Sequence, residues 1–140
     1  MRSLLLLGST GSIGTQALDV VRATPGWSVS GLAANASWEP LFEQVREFHP
    51  PFVALTDPAA GAELARRLPS ATKLFTGAEA LAELARAADY DVALHGVVGA
   101  AGLAASVAVL ARGKRLALAT KESLVMAGAP LMELARARGG

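Results

Sequence analysis

Short unbroken apolar runs alternate along this chain with longer segments whose apolar residues recur every three or four positions. The runs read as buried strands and the segments as amphipathic helices. Leu4–Leu7 is the first strand, and Ile13, Ala17, Leu18 and Val21 mark the inner face of a helix that Pro25-Gly26 ends. Trp27–Ala34 is the second strand, with Val29 and Leu32 its largest aliphatic residues. After the loop Asn35-Ala36-Ser37, Ser37 is placed to cap a helix with Leu41, Phe42, Val45 and Phe48 inside, and His49-Pro50-Pro51 breaks it. Phe52–Leu55 is a short strand. Asp57-Pro58 then starts a helix predicted to reach about Leu68. Lys73–Phe75 reads as a strand, and Thr76-Gly77-Ala78-Glu79 fits a capping box before Leu81, Leu84 and Ala88. Val92–Leu94 is a strand, Gly96–Gly102 a glycine-rich turn, and Leu103, Val107 and Leu110 the expected inner face of a helix closed by Gly113. Arg115–Ala119 is the last strand. A final helix is expected from Thr120-Lys121-Glu122-Ser123 to about Arg138, with Gly128 and Pro130 inside it.

Strands that are apolar throughout, each followed by a helix, imply a mainly parallel sheet covered on both faces. The predicted fold is therefore a doubly wound, Rossmann-like α/β domain over residues 1–140. In such a sheet ligands bind beyond the carboxyl ends of the strands. Four loops fall there: Gly8–Gly14, Asn35–Ser37, Gly96–Gly102 and Thr120–Glu122.

The first loop carries the sharpest chemistry. Gly8, Gly11 and Gly14 stand three apart between the apolar run and the first helix. Gly8 permits backbone angles closed to larger residues. Gly11 would let a pyrophosphate approach the backbone, and Gly14 would let the helix pack tightly on the strand. The free N–H groups of the helix start favour an anion, and Thr10 and Ser12 add hydroxyls. The spacing differs from the commoner G-x-G-x-x-G, so the strand-to-helix context carries the argument. No Asp or Glu lies between Asp19 and Glu39 to bind a free ribose 2′-hydroxyl, and no Lys or Arg between Arg22 and Arg46 to attract a 2′-phosphate. The second-strand loop permits NADP more than it selects it.

Other residues are open to two readings. Lys121 and Glu122 could face substrate and ribose, or form an ordinary solvated helix start. His95 ends a strand near the crevice without a partner in sequence, and His49 reads as a surface residue. Trp38 could stack on an adenine or pack beside the second helix. Asp89 and Asp91 read as loop residues.

Composition narrows the classes. The net charge of +1, from 13 basic and 12 acidic residues, offers no nucleic-acid footprint or membrane patch. No apolar run is long enough for a spanning helix, and Gly8 interrupts the four leucines too early for a signal peptide. The absence of cysteine excludes thiol nucleophiles and thiolate metal sites within the chain and fits a cytoplasmic location.

Three stretches occur in one order: Gly8 to Gly14 (G-S-T-G-S-I-G), Val97 to Leu103 (V-V-G-A-A-G-L) and Ala119 to Val125 (A-T-K-E-S-L-V). Together they resemble the N-terminal cofactor domain of 1-deoxy-D-xylulose 5-phosphate reductoisomerases over the whole chain. That resemblance implies NADPH binding by Gly8, Thr10, Gly11, Ser12, Ile13 and Gly14, by Asn35, Ala36 and Ser37, and by Thr120 and Glu122. It implies substrate contact by Lys121. The implied reaction rearranges a phosphorylated ketose and reduces the product to a methylerythritol phosphate in non-mevalonate isoprenoid synthesis. A Mg²⁺ or Mn²⁺ ion acts there as Lewis acid. Thr120 stands where the family often has Asn, and Ala36 where it often has Lys or Arg. The resemblance also implies that metal-binding carboxylates and a substrate domain follow Gly140. The chain is thus expected to be a truncated domain that binds cofactor without turnover, holds no catalytic or metal-binding residue of its own, and dimerises when full length. The competing readings are another NADP-dependent dehydrogenase, such as an aldehyde dehydrogenase acting on an acyl phosphate, and a non-catalytic nucleotide-binding module.

Overall fold

Each apolar run becomes a strand of one parallel sheet, and each periodic segment within the described range becomes a helix on one of its faces. The computed structural model describes residues 2–97 and 99–118. The elements are β1 (Arg2–Leu7), α1 (Ser12–Ala23), β2 (Trp27–Ala34), α2 (Trp38–Phe48), β3 (Phe52–Leu55), α3 (Pro58–Ala65), β4 (Lys73–Thr76), α4 (Ala80–Ala87), β5 (Val92–His95), α5 (Ala100–Ala111) and β6 (Arg115–Leu118). The strand order is β4-β3-β2-β1-β5-β6, with every pair parallel. The chain moves outward from β1 to β4, then returns to the other side of β1 with β5. Right-handed crossovers demand that helices change face where the direction of travel reverses. Accordingly α1, α2 and α3 cover one face and α4 and α5 the other.

Two cores follow from the alternation of side chains along the strands. Leu4 and Leu6 point to the α1–α2–α3 face, where Leu18, Leu41, Val45, Val53, Leu55 and Leu64 meet them. Leu5 and Leu7 point to the α4–α5 face, against Leu81, Leu84, Tyr90, Ala105 and Val109. In β2 the register shifts by one residue at Ser30, whose hydroxyl donates to the Leu4 carbonyl at 3.2 Å. That bulge puts Val29 and Leu32, three residues apart, on the same face. Among the described residues no helix is long and apolar enough to cross a membrane.

Several local expectations are corrected. The capping box does not form: Thr76 is taken into β4 opposite Leu55, and α4 begins only at Ala80 with no side-chain cap. Ser37 sits at the start of α2 without a capping hydrogen bond. Asp57 does cap α3, accepting from the Ala60 N–H at 3.1 Å, but that helix ends at Ala65. On α5 the buried face is small: Gly102, Ala105, Ser106, Ala108, Val109 and Leu110, whereas Val107 is 44% exposed. Leu110 is buried as expected, but close packing against α4 and the sheet turns Gly102, Ala105 and Ser106 inward in place of Leu103 and Val107. Ile13 is 46% exposed, and the buried Gly14 takes the inner position of the first turn. Residues 119–140, which hold the end of the last predicted strand, the Thr120–Glu122 loop and the final predicted helix, lie outside the described residues.

Candidate functional site: a glycine-lined crevice at the switch point

The reversal of strand order between β1 and β5 opens a crevice beyond their carboxyl ends, the usual ligand position in this architecture. Register brings the loops to one level. Leu7 pairs with Ala33 on one side and His95 on the other, so Gly8, the Asn35–Ser37 loop and Gly96 emerge together.

The first loop is pinned at its base. The N–H groups of Gly8 and Ser9 both donate to the Ala33 carbonyl, at 2.9 and 2.8 Å. Gly8 has φ +93°, which only glycine adopts without strain. A Cβ on Gly14 would overlap the Gly8 carbonyl oxygen and the Ser9 backbone, so this glycine is the wedge that seats α1 against the turn. Gly11 is different. A Cβ there would meet only the Gly8 carbonyl oxygen, at 3.8 Å, and would point into open space on the exposed side. No described residue accepts a hydrogen bond from the N–H groups of Thr10, Gly11, Ser12, Ile13 or Gly14, and α1 has no acidic residue in its first turn. The result is a cradle of free donors at a helix N-terminus, suited to phosphate oxygens.

A residue the sequence reading passed over locks this cradle. Gln44, buried on α2, donates from Nε2 to the Ser9 carbonyl at 2.9 Å. Among the described residues, the buried Ser9 hydroxyl and Gln44 Oε1 have no hydrogen-bond partner. The available clue was a lone amide between Leu41 and Val45 on an otherwise apolar stripe.

The second glycine-rich turn forms the opposite wall. The Gly96 N–H donates to the Leu7 carbonyl at 2.9 Å, and Val97 Cγ2 lies 3.3 Å from the position of a Cβ on Gly8. Gly99, at φ +87°, precedes α5, whose first turn also lacks acidic residues. His95 does not face the crevice. Its ring is fully buried, with Nε2 2.6 Å from the Gly102 carbonyl oxygen and Nδ1 accepting from the Val97 N–H at 3.1 Å. Burial holds its pKa below the ordinary value.

In the third loop the Asn35 carbonyl accepts from the Asp57 N–H at 3.0 Å, and its side-chain Oδ1 accepts from the Thr56 hydroxyl at 2.5 Å. Asn35 itself is exposed. Ala36 and Ser37 are exposed beside it and bring no charge. Trp38 packs half-buried at the start of α2 with the Arg67 guanidinium 4.5 Å over its ring, favouring the packing reading. His49 is exposed at the left-handed end of α2, and Asp91 accepts from the Ser3 N–H at 2.8 Å, tying down the start of β1. Thr120, Lys121 and Glu122 lie outside the described residues. Among the described residues no group of three His, Asp or Glu side chains could hold a metal ion.

Comparison with known proteins gives the family and the fold. The family model for 1-deoxy-D-xylulose 5-phosphate reductoisomerase matches residues 4–128. The reductoisomerase of Rhodococcus jostii is 51% identical over 138 residues, which cover 97% of this chain and 33% of that protein. That of Aeromonas hydrophila is 44% identical over 143 residues, covering 99% of this chain and 36% of its own length. The Zymomonas mobilis enzyme, solved in complex with NADPH, superposes with a TM-score of 0.92 at 34% identity, over 99% of this chain and 37% of that one. A reductoisomerase solved with NADPH, fosmidomycin and magnesium gives 0.91 at 36% identity, over 99% of this chain and 35% of that one. The chain thus spans about a third of the length of these relatives. In sequence and in fold alike, it belongs to the 1-deoxy-D-xylulose 5-phosphate reductoisomerase family.

Proposed function

We propose that residues 1–140 form the NADPH-binding domain of a 1-deoxy-D-xylulose 5-phosphate reductoisomerase. The observation that carries this reading is the row of unpartnered N–H groups from Thr10 to Gly14, set at the switch point beside an open Gly11. In this reading Thr10, Gly11, Ser12 and Ile13 hold the pyrophosphate, with Gly8 and Gly14 shaping the turn. Asn35, Ala36 and Ser37 border the adenosine ribose, Thr120 and Glu122 complete the cofactor site, and Lys121 meets the substrate. The fit is chemical as well as geometric, because an anion here gains backbone donors and a helix dipole, and the first turn of α1 carries no acidic residue.

Bound NADPH supplies the hydride. The chain's own residues bind its phosphates through backbone donors and orient it at the switch point. In the full-length enzyme the reaction is the rearrangement and reduction of 1-deoxy-D-xylulose 5-phosphate to 2-C-methyl-D-erythritol 4-phosphate, in non-mevalonate isoprenoid synthesis. The Mg²⁺ or Mn²⁺ ligands are assigned to sequence outside these 140 residues. The full-length enzyme is proposed to be a cytoplasmic homodimer with neither nucleic acid nor membrane as partner, in keeping with the net charge of +1.

The test is calorimetric titration of NADPH into the wild-type chain and Gly11→Ala. The added Cβ points into the space assigned to phosphate and touches nothing that holds the fold. Affinity should fall by roughly tenfold or more while thermal stability stays near wild type. Equal affinities would remove the pyrophosphate from this turn.

A further inference from the structure

His95 stands at the hinge between β5 and the second glycine-rich turn, and both its ring nitrogens are engaged by backbone. The Val97 N–H can only donate, so Nδ1 must accept and carry no proton. The ring proton then sits on Nε2 and donates to the Gly102 carbonyl, which also accepts from the Ser106 hydroxyl at 3.2 Å. Only the neutral Nε2–H tautomer satisfies both partners. Gly102 is shaped to the ring, because a Cβ there would lie 2.8 Å from His95 Cε1. Among the described residues no charged side chain hydrogen-bonds to the imidazole.

We propose that His95 is a positioning residue for cofactor binding: its imidazole braces Val97 to Gly102 and so holds the second glycine-rich turn against the first. The brace acts through Val97, whose Cγ2 lies 3.3 Å from where a Cβ on Gly8 would stand, at the base of the phosphate cradle. Without it, the Val97 N–H loses its acceptor, and the turn beyond the Gly96 N–H bond to the Leu7 carbonyl loses its tie to β5. His95 touches no cofactor in this account. The inference rests on the assignment of the crevice to NADPH, while the brace itself can be read in the cofactor-free chain.

The test uses the wild-type chain with His95→Leu, His95→Asn and His95→Gln. Ring nitrogen NMR shifts of the wild type should show Nδ1 unprotonated at neutral pH. Amide exchange should show Val97 protected without cofactor. His95→Leu should speed Val97 exchange and weaken NADPH, each by roughly tenfold. Asn places its Oδ1 where Nδ1 stood and should restore most of both, whereas Gln, whose polar group reaches the Nε2 position, should restore neither. The Asn–Gln contrast decides the matter if the Leu variant does not fold. A protonated Nδ1, unchanged Val97 exchange in the folded variants, or equal behaviour of Asn and Gln would overturn the brace. Changed exchange with unchanged NADPH affinity would overturn its positioning role. A wild-type chain that fails to bind NADPH would count against the assigned function, and the exchange data would still decide the brace.

Discussion

Ala36 leaves the second-strand loop without a charge at the point where a 2′-phosphate would sit in the proposed complex. Asn35 and Ser37 can offer hydrogen bonds, worth about 0.5–1.5 kcal/mol each when neutral. A cation added at this exposed mouth gains only about 0–1 kcal/mol from ion pairing. Ala36→Lys should therefore improve NADPH over NADH by about 1 kcal/mol, roughly fivefold, and the gain should shrink with salt. Titrating both cofactors at low and high salt checks this; an unmoved or salt-independent preference would place the 2′-phosphate elsewhere. His95 gives a second residue-scale expectation. Burial keeps its folded pKa below the unfolded value of 6.5, so the unfolded chain binds more protons below that pH. Its contribution to stability is complete above about 6.5 and is lost as pH falls through the folded value. The carboxyl of Asp91, held low by the Ser3 N–H, acts only in more acid solution, below about its ordinary value of 3.8. The melting temperature should fall between about pH 7 and pH 5, and less steeply in His95→Asn. Parallel slopes would show that the buried imidazole is not the group responsible.

The elements were legible wherever the chain announces both a pattern and a stop. β2 and β3 have the predicted ends, because apolar runs there are bounded by Pro-Gly, Asn, Pro-Pro and Asp-Pro. The first glycine turn itself was legible for the same reason: Gly8, by its positive φ, and Gly14, by its close seat against the Gly8 carbonyl, have the steric tasks read for them. What local pattern could not show was competition from tertiary structure. Thr76 is a sound cap by sequence, yet strand pairing with β3 claims it first. Leu103, Val107 and Leu110 look like a core face, yet only Leu110 is buried, and packing on α4 and the sheet turns Gly102, Ala105 and Ser106 inward as well. Gln44 escaped because its partner, the Ser9 carbonyl, is 35 residues away. Gln44→Ala would leave that buried carbonyl unpaired, at a cost of about 1–3 kcal/mol. Denaturant melts should show that loss, and NADPH affinity should fall even where the variant is fully folded. Unchanged affinity in a folded variant would mean that α2 does not set the shape of the cradle.

At the scale of the whole molecule, the position of the proposed site follows from topology. Parallel strands point their carboxyl ends to one side, and the return of the chain from β4 to β5 parts the loops at one place. Two helix N-termini, those of α1 and α5, flank that gap, and neither carries an acidic residue in its first turn. The most direct test is an amide-resolved NMR titration of the chain with NADPH. Saturable shifts should be largest at residues 10–14, with further shifts at 35–37 and across Gly96–Gly102. The opposite edge, at the amino ends of β1, β2 and β5, should stay silent. Saturable binding centred on that opposite edge, or no binding at all, would contradict the account.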